Sequence, residues 1–448
     1  MESPPGSARS ASPEAEIGHK VEDLWNDAQV EPLLSPSEKL NSCFESVPVS
    51  SFPPAPSSQV IEIASDASLA MAVEILSKHK ILSAPVRNVN APEDASWIDR
   101  YIGIVEFAGI AVWLLHQSEV AALGIMNGSA GTGQAAGRLA AALGSVTLGT
   151  PTSKTSSIAL ATVAAGGVRT ALGPLHYGPE AAASMGGSFF ENLASSEIYK
   201  TTKVEDISGS FRWAPFLALQ KSDSLLTMLL LLSKYRMKSL PVVDLGEGKI
   251  DNIITQSSVV HMLAECVGLH WFENWGTKKL FELGLPIMKP SKLVKVSEEE
   301  PVLTAFQLMR AKGVGGLPVV EEGGKKAVGN ISIRDVQYLL TAPEIYKDYR
   351  SITAKNFLSA VRKYLEEHQE TSPMLLGVIT CKRDDTIKDV ILRLDSYKIH
   401  RIYVVDEEEN VEGVITLRDI ISKLVHEPRR YFGDFFDGVV PLPRNSRV

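Results

Sequence analysis

Residues Ile379 to Val425, ITCKRDDTIKDVILRLDSYKIHRIYVVDEEENVEGVITLRDIISKLV, decide the fold. A polar cap, Asp384-Asp385-Thr386, opens a segment with apolar side chains at Ile387, Val390, Ile391 and Leu394. That i, i+3, i+4, i+7 spacing is one face of a helix. The β-branched and aromatic run Ile402-Tyr403-Val404-Val405 reads as a strand. An acidic turn, Asp406 to Asn410, leads to a second strand, Val411 to Ile415, and a helix begins at Thr416.

Three further copies of this unit lie upstream. Repeat one pairs Leu69, Ala72, Val73 and Leu76 with the strand Ala84-Pro85-Val86. Repeat two pairs Leu225, Met228, Leu229 and Leu232 with Leu240 to Asp244, and repeat three pairs Val302, Ala305, Phe306 and Met309 with Leu317 to Val320. In every copy the first apolar helix residue stands sixteen positions before the strand's Pro, or before Tyr403 in repeat four. Second halves correspond too: Tyr101–Val105, Asp251–Thr255, Val328–Ser332 and Glu412–Thr416 each end a strand and enter a helix. The expectation is an α/β fold. One repeat leaves a sheet face uncovered, so repeats should pair, one with two and three with four.

Composition limits the rest. The 448 residues, 44% hydrophobic and 22% charged, suit a globular chain with a sizeable core. A net charge of −8 argues against broad nucleic-acid or lipid binding. Cys43, Cys266 and Cys381 have no disulfide or metal-ligand spacing, and no metal site is expected. The N-terminus lacks a signal-peptide core, and Leu225–Leu232 is too short to cross a bilayer, so a cytoplasmic or nuclear location is expected. Residues 1 to about 17 and the Ala/Gly/Ser/Thr-rich insertion 118–188 are expected to be disordered, with an Ala-rich helix at 135–143 as the alternative. A short helix is expected over His19–Asp27, with Ser35-Pro36 ending that region. Leu225–Leu232, apolar all round, is expected to pack between repeats two and one.

The pattern of helix, LPVV-type strand, turn and G-x-[IV]-[ST]-x-x-D resembles the cystathionine-β-synthase (CBS) motif, whose tandem pairs form Bateman modules. Four copies, with HKVEDLWNDAQVEPLLSPSEKLN, DASWIDRYIGIVEF, FRWAPFLALQ, LLTMLLLLSKYRMKSLPVVDLG and YFGDFFDGVVPLP, resemble the γ subunits of AMP-activated and sucrose-non-fermenting-type protein kinases, the plant type above all. The resemblance implies two modules. The first, 59–275, holds repeats at 59–117 and 205–266. The second, 276–448, holds repeats at 286–342 and 373–427, and residues 1–58 form a tail and linker. It also implies a non-catalytic subunit of a heterotrimer with a catalytic α and a scaffold β subunit. AMP, ADP or ATP would be regulatory ligands, with no cofactor required.

Asp335 and Asp419 each follow a hydroxyl by three, in Ser332-Ile-Arg-Asp335 and Thr416-Leu-Arg-Asp419. Residues alone read these as capping boxes at helix starts. The resemblance adds a second role, in which the carboxylates hold adenylate ribose. His400 and Arg401 offer donors to phosphate, whereas residues alone would equally put them in solvent. The resemblance places this pair in the nucleotide cleft of the second module. Arg334 and Arg418, basic at helix starts, mark an anion contact, a subunit contact or plain surface. Repeats one and two carry Gly109 and Ser258 at the Asp position. Lys238-Ser239 and Gly315-Gly316 stand where repeat four has His400-Arg401. These departures favour the alternative, a nucleotide-independent scaffold for α and β. Gly131-x-Gly133 and Gly323-Gly324-Lys325 imitate phosphate loops without their context, the latter reading as a hairpin turn.

Overall fold

The computed structural model describes residues 12–27, 34–54, 60–107, 109–110, 113, 197–207, 217–235, 237–341 and 352–433. The expectations for residues 1–11, for the insertion 118–188 and for a helix at 135–143 lie outside these.

Two helices, α1 (Pro13–Asp27) and α2 (Pro36–Ser46), precede the repeats. Repeat one contains β1 (Ile63–Ala64), α3 (Leu69–Lys78), β2 (Ser83–Arg87) and β3 (Tyr101–Glu106). Repeat two has β4 (Leu219–Gln220), α4 (Leu225–Lys234), β5 (Ser239–Asp244), β6 (Lys249–Thr255) and α5 (Gln256–Glu265), followed by α6 (His270–Gly276). Repeat three has β7 (Val296–Ser297), α7 (Val302–Lys312), β8 (Gly316–Val320), β9 (Ala327–Ser332) and α8 (Val336–Thr341). After α9 (Ala354–Glu367), repeat four runs through β10 (Thr380–Cys381), α10 (Ile387–Ser396), β11 (Arg401–Val405), β12 (Val411–Thr416) and α11 (Leu417–Leu424).

Local chemistry sets these boundaries. The first helix of each repeat begins at the residue the spacing predicts: Leu69, Leu225, Val302 or Ile387. Ser68, Ser224 and Thr386 cap three of them, each hydroxyl accepting from an N–H three residues on at 3.1–3.2 Å. Such a cap satisfies a donor that the helix leaves unpaired, worth about 1 kcal/mol. Each repeat forms a three-stranded sheet, in which a two-residue strand runs parallel to the middle strand and the third is antiparallel. The two-residue strands were not expected, being too short for any periodic signal. They pair only beyond the middle-strand proline, Ile63 with Val86 and Leu219 with Val242. The N–H that proline lacks therefore breaks no bond of that ladder. Gly323, at φ +63°, turns the β8–β9 hairpin as expected.

The described chain divides into two compact units, each of which joins alternate repeats. One unit comprises the described residues of 1–60, 217–293 and 378–437, so it holds repeats two and four. There α5 packs on α10 and α11, and α4 packs on α11 and α2. The apolar helix α4 is interior, as expected, with Leu225, Leu226 and Met228 through Leu232 all buried. Its partners correct the assignment to repeat one. Burying each such side chain stabilises by roughly 1.5–3 kcal/mol, and any complementary apolar face serves, because the effect has no direction. The other unit comprises the described residues of 61–216 and 294–377. Within it Leu69, Val73 and Leu76 of repeat one share a core with Val302, Phe306 and Met309 of repeat three and Phe357 of α9.

The N-terminal region corrects the tail-and-linker expectation. Helix α1 starts at Pro13 rather than His19 and buries Ile17, Val21 and Trp25. Gly18 lets it approach closely, since a Cβ there would lie 2.5 Å from Cys266 Sγ. Glu22 accepts from the His270 and Trp271 N–H groups at 3.1 and 3.0 Å, capping α6 from 248 residues away. Trp271 Nε1 donates to the Gly18 carbonyl, and Trp271 and Trp275 are buried in this unit's core. Ser35-Pro36 starts a helix instead of ending a region: Ser35 and Glu38 form a capping box with proline in the first turn.

Candidate functional site

In every repeat the two residues opening the middle strand meet the entry to the next helix. Arg401 pairs with Thr416, Gly316 with Ser332, Ser239 with Thr255 and Ser83 with Glu106. One residue earlier, the carbonyls of His400, Gly315, Lys238 and Leu82 accept from Leu417, Ile333, Gln256 and Phe107 N–H at 2.8–3.3 Å. The equivalences expected for Lys238-Ser239 and Gly315-Gly316 are therefore registers of the sheet. In repeats two, three and four a hydroxyl-capped helix N-terminus, where free N–H groups favour an anion, lies beside whatever side chains those two positions carry.

In the unit of repeats two and four this junction is the most elaborated. Asp419 is 9% exposed. Its Oδ2 accepts from the Thr416 N–H at 2.8 Å and from Thr416 Oγ1 at 2.7 Å. Thr416 and Asp419 thus form the expected capping box, and both bonds use one carboxylate oxygen. Arg401, on the neighbouring strand, carries a buried Nη1 that has no hydrogen-bond partner among the described residues. A guanidinium N–H out of water without an acceptor is unfavourable, which makes this atom a call for an anion. His400 is exposed and its Nε2 lies 3.2 Å from Ser257 Oγ of repeat two. Lys398 is exposed and pairs with Asp395 at 2.7 Å. Arg418 lies close enough to Lys234 for their charges to act on each other. Burial, together with Lys423 and Arg418, pushes the Lys234 ammonium below its ordinary range despite the opposing pull of Glu427.

In the other unit Asp335 is 5% exposed, and its Oδ2 accepts from the Ser332 N–H at 2.7 Å, closing the second expected box. Burial, with the Asp335 charge next in weight, raises the Tyr338 phenol above its usual range. Its strand opens with Gly315 and Gly316, so repeat three offers a carboxylate without a basic side chain at that position. Ser332 and Asp335 belong to one compact unit, and His400, Arg401, Thr416, Arg418 and Asp419 to the other.

Repeats one and two lack the carboxylate for different reasons. Ser258 continues the capping role, its Oγ lying 2.8 Å from Thr255 Oγ1. Gly109 is not forced by packing, since a Cβ there meets nothing within 4 Å. Sequence gave no signal for three residues near His400, namely Ser257, His261 and Asp395. The contacts that matter join positions more than 130 apart.

The CBS domain family matches residues 286–341 and 374–426, which are repeats three and four. The SNF1-related protein kinase regulatory subunit gamma-1 of Arabidopsis thaliana is 60% identical over 439 residues, covering 98% of this chain and 95% of the relative. The chain belongs to the SNF1-related kinase regulatory γ-subunit family. A gamma-1-like regulatory subunit of the same plant is 43% identical, covering 88% of this chain and 89% of the relative. The 5′-AMP-activated protein kinase subunit gamma-3 of Bos taurus is 29% identical over 50% of this chain and 41% of its own length. As a γ-type chain it is built from CBS repeats, and no described helix is long and apolar enough to cross a membrane.

Proposed function

We propose that this γ-type chain is the non-catalytic regulatory subunit of a heterotrimeric Ser/Thr kinase, alongside a catalytic α and a scaffold β subunit, and that it binds adenine nucleotide at the repeat-four junction. The observation that carries the ligand half is the buried Nη1 of Arg401, without a hydrogen-bond partner among the described residues, beside a helix start capped by Thr416 and Asp419. Arg401 and His400 would hold phosphate, the guanidinium as a planar donor pair and the imidazole as a donor that strengthens on protonation. Asp419 would accept from ribose hydroxyls through the oxygen its capping role does not use. Ser332 and Asp335 are the second candidate ribose contact, and Arg418 would add positive potential. The name of the bovine relative, a subunit of an AMP-activated kinase, supports an adenylate as the ligand.

Binding would change kinase output only by favouring one assembly state over another. Equilibrium dialysis of the full-length chain with AMP, ADP and ATP tests the reading. Binding that Arg401→Ala abolishes is expected. No binding at millimolar ligand, or binding that Arg401→Ala leaves untouched, rejects it.

Gly109 and Ser258 favour a second reading, because two of the four repeats have no carboxylate at the ribose position. The subunit would then be a nucleotide-independent scaffold. Equal recovery of α and β by wild type and Arg401→Ala, with unchanged kinase output, would select it.

A further inference from the structure

The segment that carries His400 and Arg401 is short and conformationally demanding. It runs from the end of α10 at Ser396 to the start of β11 at Arg401, and Lys398 within it lies in the left-handed region at φ +51°. A residue with a Cβ disfavours that region and stays there only when its surroundings hold it. Local bonds supply part of that hold: Lys398 N–H donates to the Asp395 carbonyl at 3.1 Å, and Ile399 N–H to the Leu394 carbonyl at 3.1 Å.

The rest comes from repeat two. His261, on α5, places Nδ1 3.1 Å from both carboxylate oxygens of Asp395. A carboxylate only accepts, so Nδ1 carries the hydrogen. Asp395 also takes the Lys398 ammonium at 2.7 Å, which makes it the hub between α5 and the segment. One turn before His261, Ser257 Oγ meets His400 Nε2. Two side chains on the same face of α5 thus grip the segment at its two ends, across 134 and 143 residues of sequence. The Asp395 carboxylate is 17% exposed, shielded from competing water.

We propose that His261 and Asp395 are positioning residues, a clasp from repeat two that fixes the geometry in which His400 and Arg401 take a phosphate. The proposal rests on the adenylate site described above. It makes the phosphate-binding end of repeat four depend on repeat two, although His261 and Asp395 touch no ligand themselves. It also gives the alternate pairing of repeats a function beyond burying apolar faces.

The experiment measures AMP binding to the full-length chain by dialysis, and amide hydrogen exchange across residues 395–401 without nucleotide. His261→Ala is compared with His261→Asn, whose amide nitrogen can stand where Nδ1 stands. Arg401→Ala is the binding control. His261→Ala should weaken AMP by about ten-fold, the effect of one lost charge-assisted hydrogen bond at the low end of its range, and should speed exchange at Lys398 and Ile399. His261→Asn should restore both. Wild-type affinity and wild-type exchange in His261→Ala overturn the clasp. An Asn variant no better than Ala overturns it as well, because general loss of packing would then account for the effect. If wild type and Arg401→Ala bind AMP equally poorly, the adenylate reading fails, and with it the clasp's role in phosphate binding.

Discussion

Asp419 is asked to do two jobs, and substitution can separate them. In its capping role it receives the Thr416 N–H at 2.8 Å and the Thr416 hydroxyl at 2.7 Å. Repeat two shows what serine achieves at the same place: Ser258 Oγ keeps the hydroxyl contact at 2.8 Å, but the Thr255 N–H is 3.4 Å away. Asp419→Ser should therefore keep the box with a weaker main-chain bond and no charge on the helix dipole, a loss of about 1 kcal/mol. Asp419→Ala leaves a part-buried N–H and hydroxyl without their acceptor, which costs about 2 kcal/mol. For a unit of about 200 residues, 1 kcal/mol moves Tm by about 2–4 °C, so serine should melt about 2–4 °C low and alanine about twice that. Thermal melting of the full-length chain at pH 7.5, followed by far-ultraviolet circular dichroism, reads this difference. Both variants should lose AMP in dialysis, because neither has a carboxylate for ribose. Equal melting of the two variants would refute the capping argument. Undiminished AMP binding by Asp419→Ser would refute the ribose role while leaving capping intact.

Three further outcomes follow from packing and charge. A Cβ at Gly413 would lie 2.4 Å from Pro286 Cγ, and one at Gly329 would lie 2.2 Å from Leu358 Cδ1. The proline ring cannot rotate away and the leucine end can, so Gly413→Ala should lower Tm more than Gly329→Ala, by an overpacking cost of about 1–3 kcal/mol. Burial pushes the Asp395 carboxyl up, but bonds from Lys398 and His261 outweigh it, leaving a net downward shift. A depressed carboxylate contributes stability that is present above its unfolded pKa of about 3.9 and is lost as pH falls through the lower folded value. Asp395→Asn should thus be less stable at pH 7 and show a flatter acid limb in urea titrations between pH 5 and 2; an acid limb identical to wild type would contradict this. Burial raises all three thiols, Cys266 and Cys381 to about 12. The native chain should give almost no reaction with a thiol-specific disulfide reagent at pH 8 and three equivalents in denaturant, and rapid native labelling would show that these sites open.

What the sequence settles here is local. The first helices start at Leu69, Leu225, Val302 and Ile387, and the boxes at Ser332–Asp335 and Thr416–Asp419 close, because caps and apolar spacing act within one or two turns. The helix at Pro36 carries a local signal of the same kind in Ser35-Pro36-Ser37-Glu38, a box with proline in the first turn, which reading Ser35-Pro36 as an end misses. Other features depend on partners distant in the chain. Four repeats present similar apolar faces, and burial carries no direction, so pattern alone could not decide that repeat two packs on four and repeat one on three. Nor could it place α1 under Trp271, strip Arg401 Nη1 of water, or bring His261 to Asp395. Those outcomes need the whole core assembled. Burial makes an unpaired guanidinium nitrogen significant, and burial belongs to the tertiary structure.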